Sequence, residues 1–188
     1  MEPPGPSGRR RPDVVGVELV GGVEKRALVI VDADPSWPGI FADHENRVRI
    51  ALGATARTVE HIGSTSVPGL AAKPIIDILV TVDDITAEEV HLDPLLRAGY
   101  QLRVREPGHR LVRTPALDVQ VHVLEEGDPA GADHLLFRDR LRRHGGDRGL
   151  YERTKRDLVR SDWVDMNAYA DAKTAVITQI KARARATP

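Results

Sequence analysis

Residues 59–80 read Val59-Glu60-His61-Ile62-Gly63-Ser64-Thr65-Ser66-Val67-Pro68-Gly69-Leu70-Ala71-Ala72-Lys73-Pro74-Ile75-Ile76-Asp77-Ile78-Leu79-Val80. A short β-branched run at 58–62 breaks into a Gly/Ser/Pro loop and resumes at 75–82 as a nearly all-apolar strand, the pattern of a strand at the centre of a sheet. Gly63 admits backbone conformations and close approaches that a β-carbon blocks. Ser64 and Thr65 set hydroxyls beside backbone N–H groups, a grouping suited to phosphate oxygens. Thirteen positions after Ser64, Asp77 interrupts the apolar strand. A carboxylate there is costly unless it faces a cleft, a metal or a partner. Taken singly, a Gly-Ser turn before Pro-Gly is ordinary loop chemistry, and one strand aspartate can cap a neighbouring loop. Together they describe a phosphate-gripping turn next to a carboxylate able to hold a divalent metal.

Outward from this stretch, the pattern predicts a mixed α+β fold. Upstream, 14–20 and 27–31 are β-branched runs around Gly21-Gly22 and predict a hairpin. Ser36 is the expected N-cap of a helix that carries Ile40, Phe41, Val48 and Leu52 and stops at Gly53. Downstream, 88–96 reads as a helix and 100–105, 109–113 and 119–124 as strands. From Asp133 onward the period turns helical, in three segments marked by Leu135, Leu136 and Leu141, then Leu150, Leu158 and Val159, then Ala172, Val176 and Ile180. Residues 1–13, rich in Pro, Gly and Arg, are expected to be a disordered leader, 14–183 a single domain, and 184–188 a frayed tail.

Composition narrows the function. The 188 residues hold 27 Lys and Arg against 28 Asp and Glu, a net charge of −1, so the footprint of a duplex-binding protein is missing. Aromatic residues at 4% leave few stacking platforms for single strands, and a small-molecule partner fits better than nucleic acid. Cysteine is absent, which removes disulfides and thiolate chemistry but leaves His and carboxylate metal sites open. No apolar run approaches the ~18–20 residues needed to cross a bilayer, so no membrane partner and a cytoplasmic location are expected. Arg138, Arg140, Arg142 and Arg143 read as a solvated helix face, and Arg138-Asp139 as a structural ion pair.

The central run resembles the signature of the GrpB family. The resemblance extends from Asp32-Ala33-Asp34-Pro35-Ser36-Trp37 through His61–Asp77, Val121-His122-Val123, Phe137-Arg138-Asp139-Arg140-Leu141-Arg142 and Tyr151 to Lys155, and ends with Tyr169 to Lys173; it covers most of 27–183. It implies a nucleotidyltransferase-like fold: a mixed sheet flanked by helices, with a helical C-terminal part. Nucleotidyltransferases usually carry a second acid two residues after the first. Leu79 stands there, which puts a two-metal site in doubt. GrpB relatives typically show His-Leu-His on the later strand, where this chain has Gln120-Val121-His122.

Period-2 alternation puts Asp118, Gln120 and His122 on one face of that later strand. With Asp77 and His61, His122 is a candidate for one divalent ion, Mg²⁺ or Mn²⁺. Asp77, His61 and His122 are the candidate catalytic residues, and Gly63, Ser64, Thr65 and Lys73 the candidate phosphate contacts. Lys155 and Lys173 follow Tyr151 and Tyr169 by four positions, so each pair shares a helical face that either closes the cleft or packs on the surface. The function so implied is binding of a nucleoside triphosphate with metal and action on a small acceptor. The alternative is a catalytically degenerate nucleotide- or phosphate-binding module linked to coenzyme A metabolism, since GrpB relatives occur fused to dephospho-coenzyme A kinases.

Overall fold

A computed structural model of the chain describes residues 11–24 and 27–186. Six strands, β1 (Glu18–Leu19), β2 (Thr58–Ile62), β3 (Ile76–Val82), β4 (Gln101–Glu106), β5 (His109–Arg113) and β6 (Val119–Glu125), form one mixed sheet in the order β1-β4-β5-β6-β3-β2. Only the central β3–β6 pair is parallel. Six α-helices surround the sheet: α1 (Trp37–Leu52), α2 (Glu88–Arg97), α3 (Pro129–Arg143), α4 (Gly145–Leu158), α5 (Met166–Ala172) and α6 (Thr174–Ala186).

The apolar strand β3 is central because its side chains are covered on both faces. Ile76, Ile78, Val80 and Val82 point with Val119, Val121 and Val123 into the main core, where Trp37, Val48 and Leu52 of α1 and Leu92 and Leu95 of α2 meet them. On the other face Leu79 packs with Ile62, Leu124 and Leu135. A third cluster joins Val67 and Leu70, in the loop between β2 and β3, to Leu141, Tyr151, Val176 and Ile180 of α3, α4 and α6. This last cluster clamps the C-terminal helices over the Gly-Ser loop, and burying such side chains is worth roughly 1.5–3 kcal/mol each.

Most elements follow their local signals. Asp128 caps α3 by accepting a hydrogen bond from the Ala130 amide, with Pro129 in the first turn, so α3 starts four residues before Asp133. Asp165 caps α5 through the amides of Asn167 and Ala168, and the third helical segment divides at Lys173 into α5 and α6. Ser36 occupies the N-cap of α1 without a side-chain cap; Asp34 instead accepts from the Ser36 amide.

Among the described residues the predicted N-terminal hairpin does not form. Leu19 and Gly22 make a turn, but β1 is two residues long and pairs with β4, while Val31 bridges to Ala72. Val15, Val17, Val23 and Val29 are exposed and Leu19, Leu28, Ile30 and Val31 only partly buried, so the β-branched run lacks a fully buried face to fix a pairing register.

The expected leader and tail also end differently. Residues 1–10 and 187–188 lie outside the described residues. Asp13, placed in the leader by its sequence neighbours, is tied down: it accepts hydrogen bonds from Arg110 and from the Gly108 amide, both at 2.6 Å. The cause is Arg110, 1% exposed on β5, whose guanidinium also binds Glu88 and the carbonyls of Glu106 and His109. A buried cation needs those acids. At the other end α6 runs to Ala186, with Ala184 buried and Arg185 paired with Asp133. The arginine face of α3 is not simply solvated either: Arg138 binds Glu60, Arg140 binds Asp147, and Arg142 binds the Ser66 carbonyl. Among the described residues no helix is long and apolar enough to cross a membrane.

Replacing Arg110 with Ala leaves Asp13 to the Gly108 and Val14 amides and Glu88 to Arg105, and is expected to cost about 1–3 kcal/mol in urea unfolding. Burial works against ionisation of Asp13 and Glu88, but hydrogen bonds from Gly108 and Arg110 to Asp13, and from Arg105 and Arg110 to Glu88, outweigh it and hold both pKa values below the usual carboxylate range. Their stabilisation is therefore complete above the unfolded-state values and is lost as pH falls through the folded-state ones. Acid titration of the Arg110→Ala protein should show a shallower loss of stability than wild type.

Candidate functional site

The site forms where four strands come into register. Ile62 pairs with Asp77, Asp77 with Gln120, and Gln120 with Arg113 across β2, β3, β6 and β5. Directly paired residues share a sheet face, so Asp77, Gln120 and Arg113 all point to the side away from α1 and α2. Leu79, His122 and Leu111 make the next row on the same face. Over this face lies a cavity of about 480 Å³, also lined by Gly63, Ser64 and Lys73 from the loop, by Tyr151 and Lys155 from α4, by Tyr169 from α5 and by Lys173 at its C-cap.

Gly63 is the hinge of the site. Its φ is +70°, and a β-carbon built on it would collide with Asp77 Oδ2 and lie 3.1 Å from Asp77 Cβ and Cγ. The loop turns under Asp77 because no side chain intervenes. Ser64–Ser66 then forms a 3₁₀ turn, held by the Ser66 hydroxyl on the Gly63 carbonyl at 2.6 Å.

Two tyrosine–lysine pairs close the cavity from the helical side. Lys155 Nζ, 2% exposed, donates to Ser64 Oγ at 3.0 Å and to the Ala71 carbonyl at 2.5 Å, and sits 4.7 Å from the Tyr151 ring centre. Lys173 Nζ sits 4.6 Å from the Tyr169 ring and Lys73 Nζ 5.8 Å from the same ring. Burial, then the nearby Lys173, pushes Lys155 down to about 7. Burial lowers Lys173 too, against the opposing pull of Asp77. Tyr151 is hydrogen-bonded to Ser64, and burial raises its pKa. Tyr169, 1% exposed, has no hydrogen-bond partner for its hydroxyl among the described residues. Arg103 and Arg113 also line the cavity, and both are paired with Glu24.

The sequence-predicted residues divide along the pleat. Gly63, Ser64, Lys73, Asp77, His122, Lys155 and Lys173 converge on one cavity. His61 does not join them. Ile62 pairs with Asp77, so His61, one residue earlier, faces the other side of the sheet. There it stacks on Phe41 at 4.7 Å and binds Thr65 Oγ1 at 3.1 Å, and burial pushes it down to about 4. Thr65 turns with it, donating to the Ile75 carbonyl, and so acts as a buried tie rather than a lining group. Asp118, expected on the face of His122, lies outside the cavity and accepts a hydrogen bond from Thr114. His109, His134 and Glu106 escaped the reading. Their nearness to His122 depends on strand register and on the placement of α3, and no spacing in the chain encodes either.

Asp77 and His122 are the two metal-type donors that meet, with Oδ1 and Nε2 3.6 Å apart. No group of three His, Asp or Glu able to hold a metal occurs among the described residues, and Leu79, at the second-acid position, is buried under α3. The donor set fits at most one ion completed by a ligand, and its imidazole suits Mn²⁺ better than Mg²⁺. It does not fit a two-metal centre.

The GrpB protein family model matches residues 27–183, and the chain belongs to the GrpB family. It is 59% identical over 180 residues to the UPF0157 protein SCO7215 of Streptomyces coelicolor, covering 96% of each chain. The crystal structure of conserved protein GrpB from Enterococcus faecalis superposes with a TM-score of 0.73 at 30% identity, covering 83% of this chain and 96% of that one. A dephospho-CoA kinase of Mycolicibacterium paratuberculosis is 31% identical over 180 residues, 80% of this chain and 44% of the kinase.

Gly63→Ala tests the hinge. The positive φ alone costs an L-residue about 1–3 kcal/mol, and the collision adds displacement of Asp77. Thermal unfolding should show a loss of at least that size, whereas Gly146→Ala, at a site with no atom within 4 Å, should be near neutral or stabilising.

Proposed function

We propose that the cavity binds a phosphorylated small molecule, a nucleoside triphosphate or a related phosphate ester, with Lys155, Lys173, Lys73 and Ser64 holding the phosphate oxygens. One observation carries this reading: the buried Lys155 and the half-buried Lys173 line the same cavity, and each is held below its ordinary pKa. Neighbouring buried ammonium groups repel and lack solvation, and an anion placed between them relieves both penalties. The unpartnered hydroxyl of Tyr169 supports the same conclusion, since a buried O–H gains a hydrogen bond when an acceptor arrives. A divalent cation entering with the phosphates has Asp77 and His122 available and supplies charge neutralisation.

A nucleotidyltransferase-like origin is supported by the Gly-Ser turn lying against a strand aspartate. Nucleotidyl transfer is the second reading: an acceptor oxygen attacks the α-phosphorus, the α–β bridge breaks, and pyrophosphate leaves. Asp77 close to the turn favours it, and Leu79 weighs against it. The stretch shared with dephospho-CoA kinases favours a binding or regulatory role near such an enzyme. This chain has no G-x-x-x-x-G-K-[ST] loop and so does not supply that kinase's own phosphate grip.

Calorimetry with ATP, GTP and inorganic triphosphate, with and without Mn²⁺, tests the binding. Lys155→Met and Lys173→Met should each weaken it by about 10–100-fold, the loss expected for one charge-assisted hydrogen bond. Asp77→Asn should tighten metal-free binding by removing a repelling charge; absence of binding by wild type to any of these ligands would refute the reading.

Anion binding raises the Lys155 pKa from about 7 and takes up a proton. Affinity is therefore expected to fall as pH rises from about 6 to about 9, with proton uptake visible as a buffer-dependent heat. Pyrophosphate release in the presence of a metabolite mixture would favour transfer over binding alone.

A further inference from the structure

β2 is the last strand of the sheet, and the register identifies the groups on its outer edge. In β3 the Ile76 N–H goes to the Asp118 carbonyl and the Val82 carbonyl takes the Glu126 N–H, so the even-numbered residues of β3 bond toward β6. Asp77, Leu79 and Thr81 bond toward β2, opposite Ile62, Glu60 and Thr58. Val59 and His61 therefore direct their backbone N–H and C=O groups away from the sheet. Arg138 Nη1 donates to the His61 carbonyl at 3.1 Å. Among the described residues the Val59 N–H and C=O and the His61 N–H have no partner, although the two residues are only 6% and 8% exposed. Backbone groups at such depth are nearly always paired.

This edge lines a second cavity, of about 820 Å³, which shares no lining residue with the first. One wall is a single face of α1, formed by Trp37, Phe41, Glu45 and Arg49; the other carries Arg138 and Arg142 of α3. At about 1.5 Å per residue the α1 face runs about 18 Å, the reach of about five extended residues. Glu45 pairs with Arg49, and Glu60 with Arg138. Arg142 differs. Its Nε and Nη2 donate to the Ser66 carbonyl, and Asp139 stays 3.8 Å from Nη1, outside hydrogen-bond range. The groove thus holds a guanidinium without a hydrogen-bonded acid, beside the turn that follows β2.

We propose that the outer edge of β2 docks an extended, acidic peptide segment of a partner protein, which adds to the sheet between α1 and α3 and sets a carboxylate against Arg142. A peptide backbone supplies, at strand spacing, acceptors for the Val59 and His61 N–H groups and a donor for the Val59 carbonyl, while an acidic side chain answers the guanidinium. A small anion answers Arg142 alone and leaves the backbone row unpaired.

Panning a phage-displayed random heptapeptide library on the full chain should enrich sequences with Asp or Glu at one fixed position. The enriched peptide, made synthetically, should slow hydrogen exchange at the Val59 and His61 amides about 10-fold or more, with smaller changes at Thr58, Glu60 and Ile62, which already bond to β3. Arg142→Met should weaken the acidic peptide about 10–100-fold and leave its Asn or Gln counterpart nearly unchanged. A purely structural Arg142 would weaken both forms alike. Methylating each peptide nitrogen in turn should reduce binding at alternate positions, those that face β2. These methylated peptides and the acid-to-amide pair, all on wild type, keep the test intact if Arg142→Met does not fold. Failure of the wild-type chain to enrich any peptide overturns the proposal, as does tolerance of methylation at every position or protection confined to amides outside β2. Benzoate or inorganic phosphate shifting the Arg142 signals, with no peptide protecting Val59 and His61, makes the groove an anion site and overturns it too.

Discussion

The contact between Gly63 and Asp77 is the constraint on which the site depends. Antiparallel pairing of β2 with β3 sets Ile62 opposite Asp77, so the residue that follows Ile62 must pass directly beneath the carboxylate. Only a residue without a side chain can do so, and the left-handed conformation of Gly63 then throws Ser64 toward the helices. A larger residue would part the turn from the acid, and Ser64 would no longer reach Lys155. Phosphate-type donors and a metal-type acceptor thus come together through one short backbone approach.

The C-terminal helices answer that turn. Packing of Val67 and Leu70 against Leu141, Tyr151, Val176 and Ile180 holds α4 over the loop, and Lys155 reaches from α4 into a space where water is scarce. Its hydrogen bonds to Ser64 and Ala71 cover part of the charge. Tyr151 and Tyr169 cover more through their ring faces, since an ammonium over an aromatic ring gains on the order of 0.5–2 kcal/mol. Even so, both lysines stay poised below their ordinary pKa. The roof of the cavity is therefore electrostatically unfinished, whereas the arginines of the sheet, Arg103 and Arg113, have Glu24. The cavity thus has lysines on its helical wall and acid-paired arginines on its sheet wall.

Leu79 shows how the same scaffold limits chemistry. It shares the face of Asp77 one pleat repeat along, but α3 covers it, and Gly131 of α3 comes close enough that a β-carbon there would touch Leu79 Cδ2 at 3.8 Å. An acid at this position would be buried against Leu124 and Leu135 without a partner. The leucine and the helix above it are consistent with each other, and together they leave Asp77 and His122 as the donor pair.

The sequence by itself determined the elements and the chemistry of the central stretch. Strands 58–62 and 75–82, the helix that ends at Gly53, the glycine hinge, Asp77, and the Tyr–Lys spacing were all legible, because period, turn residues and an acid within an apolar run are local signals. The β-branched run at 14–31 misled for the same reason: β propensity describes a half-buried surface, but Val15, Val17 and Val23 are exposed and the partly buried Val31 bridges to Ala72 instead. Tertiary structure alone decided which candidates meet. His61 and Asp77 are close in the chain's logic but stand on opposite faces, because a one-residue step in a strand reverses the side chain. His109 reaches His122 only through the β5–β6 register, Glu106 reaches His109 through the β4–β5 pairing, and Asp13 leaves the leader only because a buried Arg110 draws it in. Residue type and spacing are written along the chain. Pairing register, the choice of face and the partners of buried charges arise from distant segments competing for the same interior, so they are settled only when the chain packs.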